Sequence, residues 1–292
     1  MCERVSTALF TGGLAIAIVT TVLSLGLTFP LARLVAPLRR LRLVAAVVVL
    51  NTLLLPALAW AVATTAPIGP GYAAGLALAA IGSAGAAGLK AAQLSQRADL
   101  PLAVSLVVLL QVANLVAVPL WAAAVVAGAS LDRLRIVQSL LVLVLLPLVA
   151  GAAVRARSDG LGARLRPMLV RVANVALVVA VVTGIAANRD LLLSVIGSWV
   201  LPAALGIAVL GLGLGLLVGI GDGPTRITVS LISGTRFSAL GLIIVATEFP
   251  GRDEVLAPAI TFTLVDFVVM VAVAVGIRRV RPYRAPHHRS RP

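Results

Sequence analysis

The sequence predicts an all-α polytopic membrane protein. It has nine transmembrane helices, an inverted repeat, and two discontinuous helices that cross near the middle of the membrane. Three observations carry this. The 292-residue chain is 61% hydrophobic and 12% charged, whereas soluble domains are about half apolar and about a quarter charged. Apolar runs of roughly 20 residues, the length that spans a bilayer as a helix, recur from end to end, and the alternating pattern of a membrane β-barrel is absent. One of these runs, from Ser230 to Leu240, carries Arg236 at its centre with Ser233, Gly234, Thr235 and Ser238 beside it. A charge there is expensive and marks a functional site by default. Glycine and hydroxyl neighbours let a membrane helix unwind and re-satisfy its backbone.

Taken in order, the first span covers 7–29 and stops at Pro30. It follows only Met1-Cys2-Glu3-Arg4 and has no clear small-residue cleavage site, so it reads as a retained helix rather than a signal peptide. The second, 42–65, runs from Arg42 to before Pro67. The third, 70–96, holds the run Gly82-Ser83-Ala84-Gly85-Ala86-Ala87-Gly88. The fourth, 100–128, contains Gln111, Asn114 and Pro119. The fifth, 134–154, contains Pro147, and the sixth is 167–187. The seventh is 191–219, the eighth 224–247 around Arg236, and the ninth 255–277 with Asp266 near its centre. Spans 2–4 and 7–9 share a pattern: an internal proline (Pro56, Pro202), then a small-residue-rich helix, then a helix with a polar centre and a proline (Pro119, Pro258). Corresponding helices of the two copies are five spans apart and so run in opposite directions, which sets the two interrupted helices across each other. Helices at about 42–128 and 191–277 are expected to form a core, those at about 7–29 and 134–187 a panel.

The chain carries 24 Lys and Arg and a net charge of +14. In a soluble protein that would suggest nucleic acid. Here the arginines gather in the loops 1–2, 3–4, 5–6 and 7–8 and in the tail, including Arg33, Arg39, Arg40, Arg155, Arg157, Arg164, Arg278 and Arg279. They read as topology signals, which place the C-terminus in the cytoplasm and the N-terminus outside, in the plasma (inner) membrane. The tail 278–292 is basic and proline-bearing and faces lipid headgroups. Nucleic acid is not an expected partner.

Arg236 has two readings. As a fixed cation it grips an anionic substrate through paired hydrogen bonds. As a structural charge it holds unwound carbonyls together or forms an ion pair. Asp266 is its expected counter-ion and, if it titrates, a carrier of coupling protons. Lys90 is either a second fixed cation facing Arg236 or a side chain snorkelling to the headgroups. Asn51, Gln111 and Asn114 are amides of the kind that bridge helices; Asn51, with Ser233 and Thr235, is also a candidate substrate contact. Paired catalytic carboxylates, HExxH, a P-loop and a nucleophile–base set are absent, and His287 and His288 sit in the tail. The sole cysteine is Cys2. No enzyme chemistry, metal or cofactor is expected.

Several segments resemble the bile acid:sodium symporter family. Leu25-Gly26-Leu27-Thr28 is similar to its GLT signature, and Asn51 through Pro56-Ala57-Leu58-Ala59-Trp60 to its next helix. Ile81–Lys90 falls on its first broken helix, Leu146-Pro147-Leu148 with Gly151 on its LLP…G helix, and Ser233–Leu240 on its second broken helix. The resemblance runs from Leu23 to Arg279 and implies a nine- or ten-helix secondary transporter working by alternating access; Lys90 and Arg236 against Asp266 leave a net positive site, so an organic anion is the expected substrate. The departures are specific. Where sodium-coupled members carry an acid this chain has Ile232, for a Gln it has Arg236, for an Asn Lys90, and for two hydroxyl ligands Ala103 and Val107. Against the family pattern this implies that sodium coupling is lost, with Lys90 and Arg236 as tethered substitutes for the ions. Sodium coupling through backbone ligands, and a non-transporting sensor or scaffold of the same fold, remain the alternatives. Arsenite exporters of the broader superfamily use a membrane cysteine, which this chain lacks.

Overall fold

A computed structural model of the chain describes residues 2–28, 38–126, 133–187, 189, 193 and 195–279. Among them the backbone is helical throughout, apart from turns and one isolated antiparallel bridge between Ser83 and Arg236. Six helical stretches are long and apolar enough to cross a membrane: Leu41–Thr65, Leu100–Val125, Ile136–Arg157, Gly160–Ala186, Val200–Val218 and Asp253–Arg279. Shorter apolar helices are Gly12–Gly26, Pro70–Ile81 and Ser238–Glu248.

Helix α1 is Cys2–Gly26. The second rod is α2 (Leu41–Val49), one turn of π-helix (Leu50–Leu54) and α3 (Leu55–Thr65). The third expected span is divided into α4 (Pro70–Ile81) and α5 (Ala86–Ser95). Then come α6 (Leu100–Val125), α7 (Arg133–Leu140), a second π-turn (Leu141–Leu145), α8 (Leu146–Arg157) and α9 (Asp159–Ala187). Next are α10 (Val200–Val218) and the divided pair α11 (Gly223–Gly234) and α12 (Ser238–Glu248); α13 (Asp253–Arg279) closes the fold.

Both π-turns have one cause. Each immediately precedes a proline, Pro56 or Pro147, at the second position of the following helix. Proline has no N–H to give and its ring crowds the preceding turn. The Leu55 amide bonds the Leu50 carbonyl and the Leu146 amide the Leu141 carbonyl, five residues back. The carbonyls of Asn51 and Thr52 are thereby left without helical donors. The indole N–H of Trp121 takes Thr52 at 2.7 Å; Asn51 is used at the site below.

Two expected boundaries are corrected. The seventh span was expected from 191, but α10 starts at Val200, because Gly197 (φ 88°) and Ser198 form a turn in which the Ser198 hydroxyl bonds the Val195 carbonyl. The sixth was expected to begin at 167, but α9 begins at Asp159 and carries Pro167 inside it. The basic tail beyond 279, with His287 and His288, lies outside the described residues, as do Pro30 and Arg33; of Cys2 only the backbone is described.

Helix α1 packs along α9 and α8. At the α1–α8 contact Gly26 and Gly151 face each other's backbone so closely that a Cβ on either would collide with main-chain atoms. The other helices pack together around the two divided ones: α13 on α4, α5 and α10, α12 on α4, and α11 on α5, α6 and α10.

Candidate functional site

The two interruptions, 82–85 and 235–237, touch. The Phe237 amide donates to the Gly82 carbonyl at 2.9 Å within the Ser83–Arg236 bridge. A Cβ on Gly82 would stand 2.9 Å from the Phe237 carbonyl oxygen, and one on Gly85 2.9 Å from that of Arg236. Glycine is therefore required here for backbone approach. Ala84, at φ 47°, takes the left-handed turn that opens the break.

Ending a helix inside a hydrophobic slab strands its last carbonyls, and each orphan there is costly. Here every carbonyl from residue 80 to 84 is claimed. Arg236 Nε donates to Ala80 O at 2.8 Å and Nη2 to Ile81 O at 3.3 Å. The Phe237 amide takes Gly82, Asn114 Nδ2 takes Ser83 at 3.0 Å, and Gln111 Nε2 takes Ala84 at 3.1 Å. Asn114 also accepts from the Ser83 amide at 3.0 Å. The proline-freed Asn51 carbonyl receives Arg236 Nη2 at 3.1 Å and the Ser83 hydroxyl at 2.9 Å. The Asn51 side chain accepts from Arg236 Nη1 at 3.4 Å and donates to the Ser233 hydroxyl and the Val47 carbonyl, both at 2.9 Å.

Arg236 is 3% exposed, and Asn51, Ser233 and Thr235 are fully buried. The Thr235 hydroxyl donates back into its own helix, to Leu231 and Ile232. Arg236, Asn51 and Ser233 thus stand in one network, with Thr235 against Gly88 beside it. Asp266 is 3% exposed and its carboxyl lies beside Arg236. None of the guanidinium's bonds goes to it, and its Oδ1 has no partner.

Lys90 does not join Arg236. It is half-buried on α5 and its ammonium hydrogen-bonds Asn174 Oδ1 of α9. It lines a cavity of about 500 Å³ between α1, α5, α8 and α9, together with Arg155, Arg166, Gln93 and Asn174. Thr21, Ser24 and Thr28 complete the polar wall, and among the described residues no carboxylate lines it. Its volume suits a small organic ligand, for which ~300–1,000 Å³ is usual. Three cations with no acid among them suit an anion.

The sequence reading took Arg155 and Arg166 as topology charges and missed their place here. A signal existed. With α9 extended back to Asp159, Arg166, Val170 and Asn174 recur every four residues, on one helix face, and all three line the cavity.

The model of the sodium bile acid symporter family matches residues 15–195, more than half of the chain. The chain belongs to this family. The match covers the first divided helix, Asn51, Lys90 and the cationic cavity, and ends before Arg236 and Asp266. No curated protein matches the chain. A transporter of the bile acid symporter kind, built of membrane-spanning helices, follows from the family and from the apolar helices.

Proposed function

We propose that this chain is a secondary active transporter that moves an organic anion across the plasma membrane by alternating access, without sodium coupling. The nine spans comprise six continuous apolar helices, α1 and the two divided ones. Spans 2–4 and 7–9 form the inverted repeat and the core, and spans 1, 5 and 6 the panel, with motion of one against the other opening the cavity to each side in turn. Lys90, with Arg155 and Arg166, holds the anion. The basic loops meet at one end of the molecule, where Arg40 Nη1 bonds Thr225 Oγ1 at 3.2 Å and the Asp99 amide bonds Thr228 Oγ1 at 2.7 Å. This supports a cytoplasmic face there, with the N-terminus outside.

The observation that carries the loss of sodium coupling is the guanidinium in the crossing. Sodium needs a cluster of oxygen ligands. The carbonyls of Ala80, Ile81 and Asn51, which converge at the crossing, already surround Arg236. A tethered cation fills the position, so no soluble one is needed to hold the two breaks together. Arg236, Asn51 and Ser233 act in this reading as the frame of the site, and Lys90 as its substrate contact.

The test is counterflow of labelled bile acids and small organic acids in proteoliposomes, with sodium replaced by choline. Exchange at an unchanged rate is expected. Strict sodium dependence would reject the uncoupled reading, and no counterflow of any organic acid would reject transport of this class.

A further inference from the structure

A second, smaller hollow of about 80 Å³ lies where α1 and α9 meet the crossing and α13. That is room for two or three waters at ~30 Å³ each. Asp266 lines it, and so do Thr21 of α1, Leu177 of α9, Ala87 of α5, Ser238 of α12 and Thr263 of α13. The other charged residue among the described residues of the wall is Arg236, whose guanidinium is turned into the carbonyls of residues 51, 80 and 81. The guanidinium makes no hydrogen bond to the carboxyl, but its charge acts on it.

Three facts make Asp266 more than a counter-ion. It is almost wholly buried, yet its Oδ1 has no hydrogen-bond partner. A buried carboxylate is normally fully bonded, because an unbonded charged oxygen is costly. The guanidinium makes its hydrogen bonds to backbone and amide oxygens, so adding a proton to Asp266 removes a neighbouring charge from Arg236 but strands no donor. And Thr21 lines both this hollow and the cationic cavity, so the space that Asp266 faces adjoins the anion's chamber at Thr21.

We infer that Asp266 is the coupling-ion site of this protein and that its ion is a proton. In the conformation that opens the hollow to water, Oδ1 takes a proton from solvent and becomes a neutral acid. In the opposite conformation the O–H bond breaks and the proton returns to water on the other side. The anion in the adjoining cavity travels with that proton. The direction of coupling rests on the transporter reading above; the loading of Asp266 does not.

The test is infrared difference spectroscopy of the full-length protein in lipid during a pH jump, with no transported solute added. A carboxylic-acid C=O band is expected that appears on acidification in wild type, is absent in Asp266→Asn, and returns at a displaced frequency in Asp266→Glu. A titrating band that survives Asp266→Asn, or no titrating buried-acid band in wild type, overturns the inference. If Asp266→Asn does not fold, an undisplaced band in Asp266→Glu overturns it equally. Because no substrate enters, failure here leaves organic-anion counterflow standing, and failure of counterflow leaves the titrating carboxyl standing.

Discussion

The crossing and the cavity are each built around membrane-depth cations, and they treat them in opposite ways. At the crossing Arg236 is sealed, 3% exposed, with every guanidinium nitrogen committed to an oxygen of the chain. In the cavity Lys90 is half-buried, bonds one amide oxygen, and stands beside Arg155 and Arg166 against open space. The first arrangement has spent four of its five N–H groups on the chain's own oxygens; the second gathers three cations round a cavity with no carboxylate among the described residues that line it. A cation within a membrane helix is therefore assigned by what surrounds its donors. Unwound backbone receives Arg236 as a structural pin, while Lys90, facing the cavity, is the one proposed above as the ligand contact.

The contrast can be broken most forcefully at Arg236. Arg236→Leu leaves the carbonyls of Ala80 and Ile81 unpaired, and that of Asn51 with the Ser83 hydroxyl alone, and is expected to cost on the order of 3–5 kcal/mol, read as a large fall in the unfolding temperature of the detergent-solubilised protein. Arg236→Lys is expected to recover part of it, since a single ammonium cannot span three carbonyl positions. Gln111→Leu comes next. It orphans the Ala84 carbonyl and one N–H of Asn114, for an expected loss of ~1–3 kcal/mol in the same assay. Lys90→Met is the smallest in stability, within about 1 kcal/mol, because its bond is a partly exposed one. Its effect belongs to affinity, with the half-saturating concentration of a transported anion in counterflow rising about tenfold, the worth of about 1.4 kcal/mol. If Lys90→Met unfolds the protein as Arg236→Leu does, or if Arg236→Leu leaves its stability intact, the division between pin and ligand contact fails.

Much of this was legible from residues alone. The apolar periods gave the rods, and the glycine run at 82–88 and the Gly234–Thr235–Arg236 cluster marked where two of them divide, as the structure has it. Of the two readings of Arg236, the geometry matches the one in which the charge gathers unwound carbonyls. Its choice of oxygens was not legible, because they belong to the backbone. The Asn51 carbonyl is freed only through the π-turn that Pro56 imposes, and a proline in a membrane helix announces a lost donor without saying who replaces it. Nor was it legible that Lys90 turns toward α9, since one residue's rotation about its helix decides between crossing and cavity. The start of α9 was misplaced because Pro167 reads as a first turn, and with it went the face that carries Arg166 and Asn174.

The bonds that close the first break come from far along the chain. Arg236 reaches back 156 residues to Ala80 and 185 to Asn51. While the ribosome is still building the segments between, the amides of α6 can already cover Ser83 and Ala84, but Ala80, Ile81 and Gly82 must wait. The nascent amino-terminal half therefore enters the bilayer with an open seam, and the arrival of Arg236 is the event that shuts it.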